Sequence, residues 1–411
     1  MKGLNQLELD KILVQSNIDL KPIFDNLDSI EYENTKKVLE AFKESKISEA
    51  HLNGTTGYGY GDIGREAVES IFTRVFKGED ALVRSQFISG TQTISTCLFG
   101  ILRPGDTVLS INGKPYDTLD KVIGIEDNSS SLKSWGINYE QVELKEGKLD
   151  IPSIVERVSK NDIKLIICQR SRGYLYRDAF TIEEFENVFK EIRRVNNKAY
   201  IMVDNCYGEF TDVKEPLEVG ADIIVGSLIK NPGAGIAKTG GYIVGKKELI
   251  DLISDRYSAP GLGKEGGASF NHNREILQGF FMAPHTVNQA LKTAVFSAYC
   301  LDKLGYEVSP KYDSKRSDIV QMIKFQDPDK LVKYCQGIQS MSPVDSHVKP
   351  MPWDMPGYTD QVVMASGSFV SGSSIEISCD GPIRPPYVAY QQGGLTYQSG
   401  KIAVLNAIMN L

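Results

Sequence analysis

The chain has 411 residues, 41% of them apolar, which suits one large domain with its own core and at least one smaller domain. Its 46 basic and 53 acidic residues give a net charge of −7, which leaves no basic footprint for nucleic acid and no cationic face for a membrane. Six scattered cysteines and four histidines argue against a metal cluster and for a reducing compartment; with no signal-peptide head and no apolar run near the roughly 20 residues that span a bilayer, a cytoplasmic protein is expected.

Residues 5 to 50 carry apolar positions at three-to-four spacing among many charges, a helical arm that must pack on a partner subunit or on the large domain. Gly54, Gly57, Gly59, Gly61 and Gly64 then interrupt regular structure and place Tyr58 and Tyr60 between glycines, where their hydroxyls can donate to a phosphate or a substrate. Arg65 to Phe76 reads as an amphipathic helix. Ser89-Gly90-Thr91-Gln92 leads into an apolar helix. Such an N-terminus binds phosphate through free amides and the helix dipole, although an ordinary cap has the same look.

A turn at Pro104-Gly105-Asp106 precedes a strand from Val108 to Ile111, and Tyr116 follows Gly113-Lys114-Pro115. Lys164 to Cys168 is a strand ending at Gln169-Arg170-Ser171-Arg172, and Thr181 with Glu184 forms a capping box that opens a helix over 182–195. The strand Tyr200 to Val203 ends in Asp204. The strand Ile223 to Val225 runs into Gly226-Ser227, with Lys230 three residues on, before Asn231-Pro232-Gly233 breaks the chain. A further strand, Tyr242 to Val244, follows Gly240-Gly241.

In an open α/β sheet, ligands sit beyond the carboxyl ends of the strands. If the strands before Asp204 and Lys230 are parallel neighbours, acid and lysine share that edge. An acid there can keep a pyridine nitrogen protonated, and a part-desolvated, part-neutral lysine can form a Schiff base with an aldehyde; pyridoxal 5′-phosphate (PLP) needs both. Read singly, Asp204 is also a cap after a strand and Lys230 a surface lysine.

Farther on, Gly261 to Asn273 is a glycine-rich lid or subunit-contact loop. A long apolar helix over 286–304 joins the domains, with His285 at its start. The last hundred residues mix a helix, Asp329 to Gly337, with strands at Gln361 to Ala365 and Ile375 to Ser378. Arg384 stands in Asp380-Gly-Pro-Ile-Arg384-Pro-Pro-Tyr387, where prolines restrict its backbone. Its planar fork suits a substrate carboxylate, or it pairs with Asp380.

The order Ser89-Gly90-Thr91, Pro104-Gly105-Asp106, Tyr116-Asp-Thr118, Asp204, Ser227-x-x-Lys230, Gly240-Gly241 resembles the fold-type I PLP enzymes of the Cys/Met-metabolism group. Gly57 to Arg65, Gln169 to Tyr174 and Cys379 to Tyr387 resemble most the methionine γ-lyase-like, or aluminium-resistance, family, also described as cystathionine β-lyase family proteins. The resemblance covers nearly the whole chain. It implies an α/β fold of the PLP-transferase type, a mostly parallel seven-stranded sheet between helices with a smaller α+β C-terminal domain. The expected division is an arm and glycine-tyrosine loop over 1–76, a PLP-binding domain with the inter-domain helix over 77–304, and the small domain over 305–411.

The resemblance also implies roles. Lys230 carries PLP as a Schiff base and abstracts the α-proton, Asp204 faces the pyridine nitrogen, and Tyr116 stacks on the ring. Ser89, Gly90, Thr91, Gln92 and Ser227 hold the phosphate, joined by Tyr58 or Tyr60 from a neighbouring subunit, with Arg65, at a different spacing, a candidate for the arginine that accompanies that tyrosine. Of the two arginines past Cys168, Arg172 is favoured as a ring contact. Arg384, with Tyr58, meets the substrate. The expected enzyme is a carbon–sulfur lyase acting on sulfur-containing amino acids as a homodimer or homotetramer with composite sites. Other PLP reactions (an aminotransferase, an aldolase, a γ-synthase) and a PLP-binding stress-resistance or regulatory protein remain open.

Overall fold

The structure is a computed structural model that describes residues 6–355 and 358–411, so residue 5 of the expected arm lies outside the described residues. Two helices, Gln6–Asp19 and Lys21–Glu44, form the arm. The second packs along the long helix Asn273–Lys303 and fastens to it by polar contacts such as Asn288 Nδ2 to Asp28 Oδ1 at 2.7 Å.

The large sheet has seven strands: β1 (Asp80–Arg84), β2 (Thr107–Ser110), β3 (Asn138–Gln141), β4 (Ile163–Gln169), β5 (Tyr200–Asp204), β6 (Ile223–Ser227) and β7 (Gly241–Gly245). Their spatial order is β1-β7-β6-β5-β4-β2-β3. Only β7 runs against the rest, pairing antiparallel with both β1 and β6. The inner strands β6 and β7 are buried along their whole length because helices cover both faces. Ile201, Val203, Ile224, Tyr242 and Val244 face one core with Phe72, Phe76 and Phe280. Met202, Ile223, Val225 and Ile243 face the other with Leu98, Ile101, Leu249 and Ile253. The alternation within each strand is the period of two that a pleated backbone imposes.

A second sheet carries β8 (Glu307–Ser309), β9 (Val320–Lys324), β10 (Val362–Ser366), β11 (Ser378–Pro382) and β12 (Val388–Gln392), antiparallel in the order β10-β11-β12-β9-β8. The helices Pro328–Gln339 and Tyr397–Met409 pack on each other beside it.

Several expectations are met closely. The capping box is complete, with Glu184 N donating to Thr181 Oγ1 at 3.2 Å and Thr181 N to Glu184 Oε2 at 2.8 Å. Others need correction. The inter-domain helix begins at Asn273, not 286, and Pro284 and His285 lie inside it. The buried series Ile276, Phe280, Ala283, Val287, Ala290 keeps a helical period through the proline, so burial outweighs the one hydrogen bond the proline forfeits. The strand expected at Ile375 to Ser378 starts only at Ser378, because Ile375 and Ile377 reach the core from irregular chain. Three strands of the small sheet, β8, β9 and β12, went unanticipated.

Candidate active site

β5 and β6 are parallel neighbours with Asp204 opposite Val225, so Asp204 and Ser227 leave the sheet at one edge. The chain turns tightly after Ser227. A Cβ on Gly233 would stand 1.8 Å from the Leu228 carbonyl oxygen, so only glycine fits that turn. The turn throws Lys230 back over the sheet edge. β4 ends beside β5 with Gln169 opposite Asp204. A small cleft opens here, lined by Lys230, Asp204, Gln169, Tyr116, Tyr207 and Asp380 among others.

Lys230 Nζ lies 4.0 Å from the centre of the Tyr207 ring, a cation–π contact. Burial works to lower its pKa, but Cys206, Tyr207 and Asp204 outweigh burial and hold the ammonium above its usual range. Where desolvation alone would leave a part-neutral lysine, the neighbours of Lys230 favour its charged form. Burial pushes Asp204 up, against the pull of Lys230 and of its hydrogen bond from Cys206 N at 3.1 Å. That bond uses Oδ1, and the Cys206 thiol is a further partner of the carboxyl.

Tyr207 was missed by sequence reasoning. It adopts φ 71°, a left-handed conformation that is strained for a bulky side chain and marks a position set by its surroundings. The signal was its place, three residues beyond a strand that ends in an acid.

Ser89 caps the helix Gly90–Ile101, its Oγ accepting from Gln92 N at 3.1 Å, while Gln92 Oε1 accepts from Ile88 N at 2.8 Å. The amides of Gly90 and Thr91 stay unpaired among the described residues. A Cβ on Gly90 would come within 3.6 Å of Ser227 Cβ and 3.8 Å of Cys206 Sγ, so this helix end abuts the strand end that carries Lys230. Thr91 Oγ1 meets Thr118 Oγ1 at 2.7 Å and ties the Tyr116 loop to the same helix. Tyr116 hydrogen-bonds Tyr358 through the two hydroxyls, and burial raises its phenol well above the usual range, so it keeps its proton.

Ser89, Gly90, Thr91, Gln92, Tyr116, Asp204, Ser227 and Lys230 thus gather at one end of the sheet. Arg172 does not join them. Its guanidinium is fully buried against Asp178 Oδ1 at 3.1 Å and Ser309 Oγ at 3.3 Å, fastening the β4 loop to the second sheet; Gln169 faces the cleft instead. Arg170 is likewise spent on Glu215 and Asn205. Arg384 is half-exposed and pairs with Asp360 at 2.8 Å, not with Asp380, and does not line the cleft.

Tyr58 and Tyr60 stack on each other with ring centres 5.7 Å apart and stand 80% and 61% exposed. Arg65 is buried beneath them and donates to the carbonyls of Gly59, Gly267 and Glu265, so it shapes the loop rather than reaching a ligand. Gly267 N donates to Tyr58 O and Phe270 N to Thr55 O, which makes the glycine-rich segment 261–273 a strap for the tyrosine loop rather than a free lid.

These groups fit PLP: a helix end with free amides for a phosphate beside the strand end that leads to Lys230, and a carboxylate and a lysine that line one cleft. Comparison with known proteins agrees. A family profile described as methionine gamma-lyase matches residues 9–411. The chain belongs to the methionine gamma-lyase family. That family consists of PLP-dependent lyases, and the chain is an enzyme of that class with the fold-type I architecture. It is 48% identical over 406 residues to the Bacillus subtilis (strain 168) "Uncharacterized protein YnbB", covering 98% of this chain and 96% of that one. A solved structure named as a carbon-sulfur lyase involved in aluminum resistance, from Clostridium novyi NT, superposes with a TM-score of 0.94 at 49% identity, over 98% of this chain and 95% of the other. A methionine gamma lyase from Micromonospora echinospora shares the fold, with a TM-score of 0.58 at 15% identity over 88% and 93% of the two chains. No helix of the described residues is long and apolar enough to cross a membrane.

Proposed function

We propose that the chain eliminates a sulfur-bearing group from the β or γ carbon of a thioether amino acid, in the manner of a cystathionine β-lyase or methionine γ-lyase. The observation that carries this is the convergence of Lys230 and Asp204 on one cleft, with the Gly90 helix end against the adjoining strand end. When bound, PLP supplies an electron sink for the bond broken at the α-carbon. Lys230 Nζ is the amine that anchors it and then takes the α-proton, the cleft offering no histidine among its described lining residues. Asp204 holds a proton on the ring nitrogen. Ser89, Gly90, Thr91, Gln92 and Ser227 bind the phosphate with amides and hydroxyls. Tyr116 keeps its phenolic proton, against a ring face or for the departing sulfur.

Arg384 is the proposed partner of the substrate carboxylate. Its half-exposed pair with Asp360 is worth about 0–1 kcal/mol, little enough for a carboxylate to displace. We assign Tyr58 and Tyr60 to the site of a second subunit in a cytoplasmic homo-oligomer. Their loop is firmly strapped yet leaves two aromatic rings in solvent, which suits a surface that another copy covers. The test is product analysis: the purified enzyme should release keto acid, ammonia and a thiol from L-cystathionine or L-methionine. Transfer of the amino group to an added keto acid, without thiol release, would overturn the lyase reading.

A further inference from the structure

Asp380 lines the same cleft, yet none of the steps above uses it. It lies on β11 and is 5% exposed. Gln392 Nε2 donates to its Oδ1 at 3.0 Å, and the Tyr174 hydroxyl donates to its Oδ2. Both donors are neutral. No lysine, arginine or histidine among the described residues hydrogen-bonds or ion-pairs with it, although Arg384 stands only four residues on. Its charge is felt by Tyr116, Tyr174, Tyr207 and Tyr358, all phenols whose own protons are held firmly. A buried carboxylate is normally paired with a cation, because an uncompensated one costs several kcal/mol of desolvation. Here burial pushes the carboxyl up to about 6, still low enough to be ionised at neutral pH. The cleft therefore presents a fixed anion whose counter-charge the protein does not supply.

The reacting amino group of a substrate must reach Lys230. Asp380 is not paired with Lys230, and Tyr207 stands next to both groups. An ammonium seated on Asp380 while the reacting amine occupies Lys230 is a second one. We propose that Asp380, held by Tyr174 and Gln392, is a specificity residue that seats an ammonium on the departing half of the substrate, so that the preferred substrates are diamino thioethers. This rests on the lyase reading and narrows it: methionine has no second amine, and cystathionine does.

The binding part can be tested without turnover. Holoenzyme is treated with borohydride, so that no amine can exchange at Lys230, and titrated with 2-(methylthio)ethylamine and with its neutral isostere 2-(methylthio)ethanol. The amine should bind about tenfold or more tightly than the alcohol, the factor expected of one charge-assisted hydrogen bond. In Asp380→Asn, which keeps an acceptor for Tyr174, that preference should vanish. In untreated enzyme the same substitution should lower the ratio of kcat/KM for L-cystathionine to that for L-methionine by a similar factor. Equal binding of the two probes by the wild type, or a preference that survives in Asp380→Asn, overturns the proposal. Should Asp380→Asn not fold, the wild-type comparison still decides. An enzyme that prefers the amine probe yet releases no thiol from either amino acid would fail the lyase reading and leave the ammonium seat standing.

Discussion

The ring-side wall of the cleft comes from the ends of β4, β5 and β6 and from one helix N-terminus, whereas the substrate-side wall comes from loops, tyrosines and the second sheet. On the first wall, hydrogen-bonded strands with fixed register set Gln169 beside Asp204 and Asp204 beside Val225. On the second, Tyr116, Tyr174 and Tyr358 meet one another from three loops, and Tyr174 reaches across to Asp380. In the proposed reading, regular backbone fixes the groups that every PLP reaction needs, and loop side chains, which can change without disturbing the sheet, choose the substrate. The difference predicts that damage to the first wall abolishes chemistry, while damage to the second alters which molecule is used and how tightly.

The largest effect falls on Lys230. Borohydride should fix the cofactor to the peptide that carries Lys230, and Lys230→Ala should lose both that label and at least roughly 10³-fold in turnover, since one substitution removes anchor and base. A label on another peptide would break the assignment of the ring-side wall. Asp204→Asn comes next. The amide keeps the shape and can still accept from Cys206 N, but it cannot hold the ring-nitrogen proton by charge. Cofactor absorbance should persist while kcat falls roughly 10²- to 10³-fold, the usual loss when one preorganised electrostatic partner is removed. Near-normal turnover would reduce Asp204 to a cap.

The tyrosine loop tests whether the second wall is finished by another copy of the chain. Lys230→Ala subunits are mixed with Tyr58→Phe, Tyr60→Phe subunits, each weak as its own oligomer. If the tyrosines serve a partner's site, each mixed dimer holds one site with both defects and one with neither, and random mixing should restore about a quarter of wild-type activity. No recovery, with subunit exchange shown independently, would place the tyrosines outside any shared site. Arg384→Ala should act more mildly, raising KM about tenfold with a smaller change in kcat, as expected for the loss of one carboxylate contact. An unchanged KM would leave the carboxylate to another group.

Much of the ring-side wall was legible in the sequence because local signals fixed it. A buried strand ending in Asp204, another followed by Ser227 and Lys230, and a small-residue run before an apolar helix each announce themselves within a dozen residues. Their meeting follows from the parallel order of β5 and β6. The substrate-side wall was not legible, because its members are brought together by pairings between distant segments: Tyr116 with Tyr358, Tyr174 with Asp380, Asp380 with Gln392. Nothing local tells a cleft-facing carboxylate such as Asp380 from a turn acid. Arg172 misled for the same reason. It lies near the right edge, but a tertiary partner, Asp178, decides where its guanidinium points.

The smallest effect on rate, and the sharpest on stability, concerns what lies under the ring-side wall. Glu209 is fully buried, with Oε1 accepting from the Tyr242 hydroxyl at 2.6 Å and Oε2 buried without a partner. Burial, aided by the charge of Glu215 and opposed by the Tyr242 hydrogen bond and Lys230, raises its carboxyl to about 8 from 4.5. The folded chain therefore binds this proton more tightly than the unfolded chain. Between pH 4.5 and about 8 the folded state holds more protons, so the contribution to stability is complete below 4.5, declines as pH rises through that window and is lost above it. Glu209→Gln keeps an acceptor for Tyr242 and cannot ionise. Denaturant midpoints measured at several pH values should thus fall less steeply toward pH 8 in the variant, with the two proteins diverging by roughly 1 kcal/mol or more. Turnover should change little, because Glu209 supports the lysine-bearing turn through its backbone carbonyl, which accepts from Asn231 Nδ2 at 3.0 Å, and not through its charge. Parallel stability curves would mean that Glu209 is ionised in the folded protein and that Lys230 shares its positive charge with this acid as well as with Asp204.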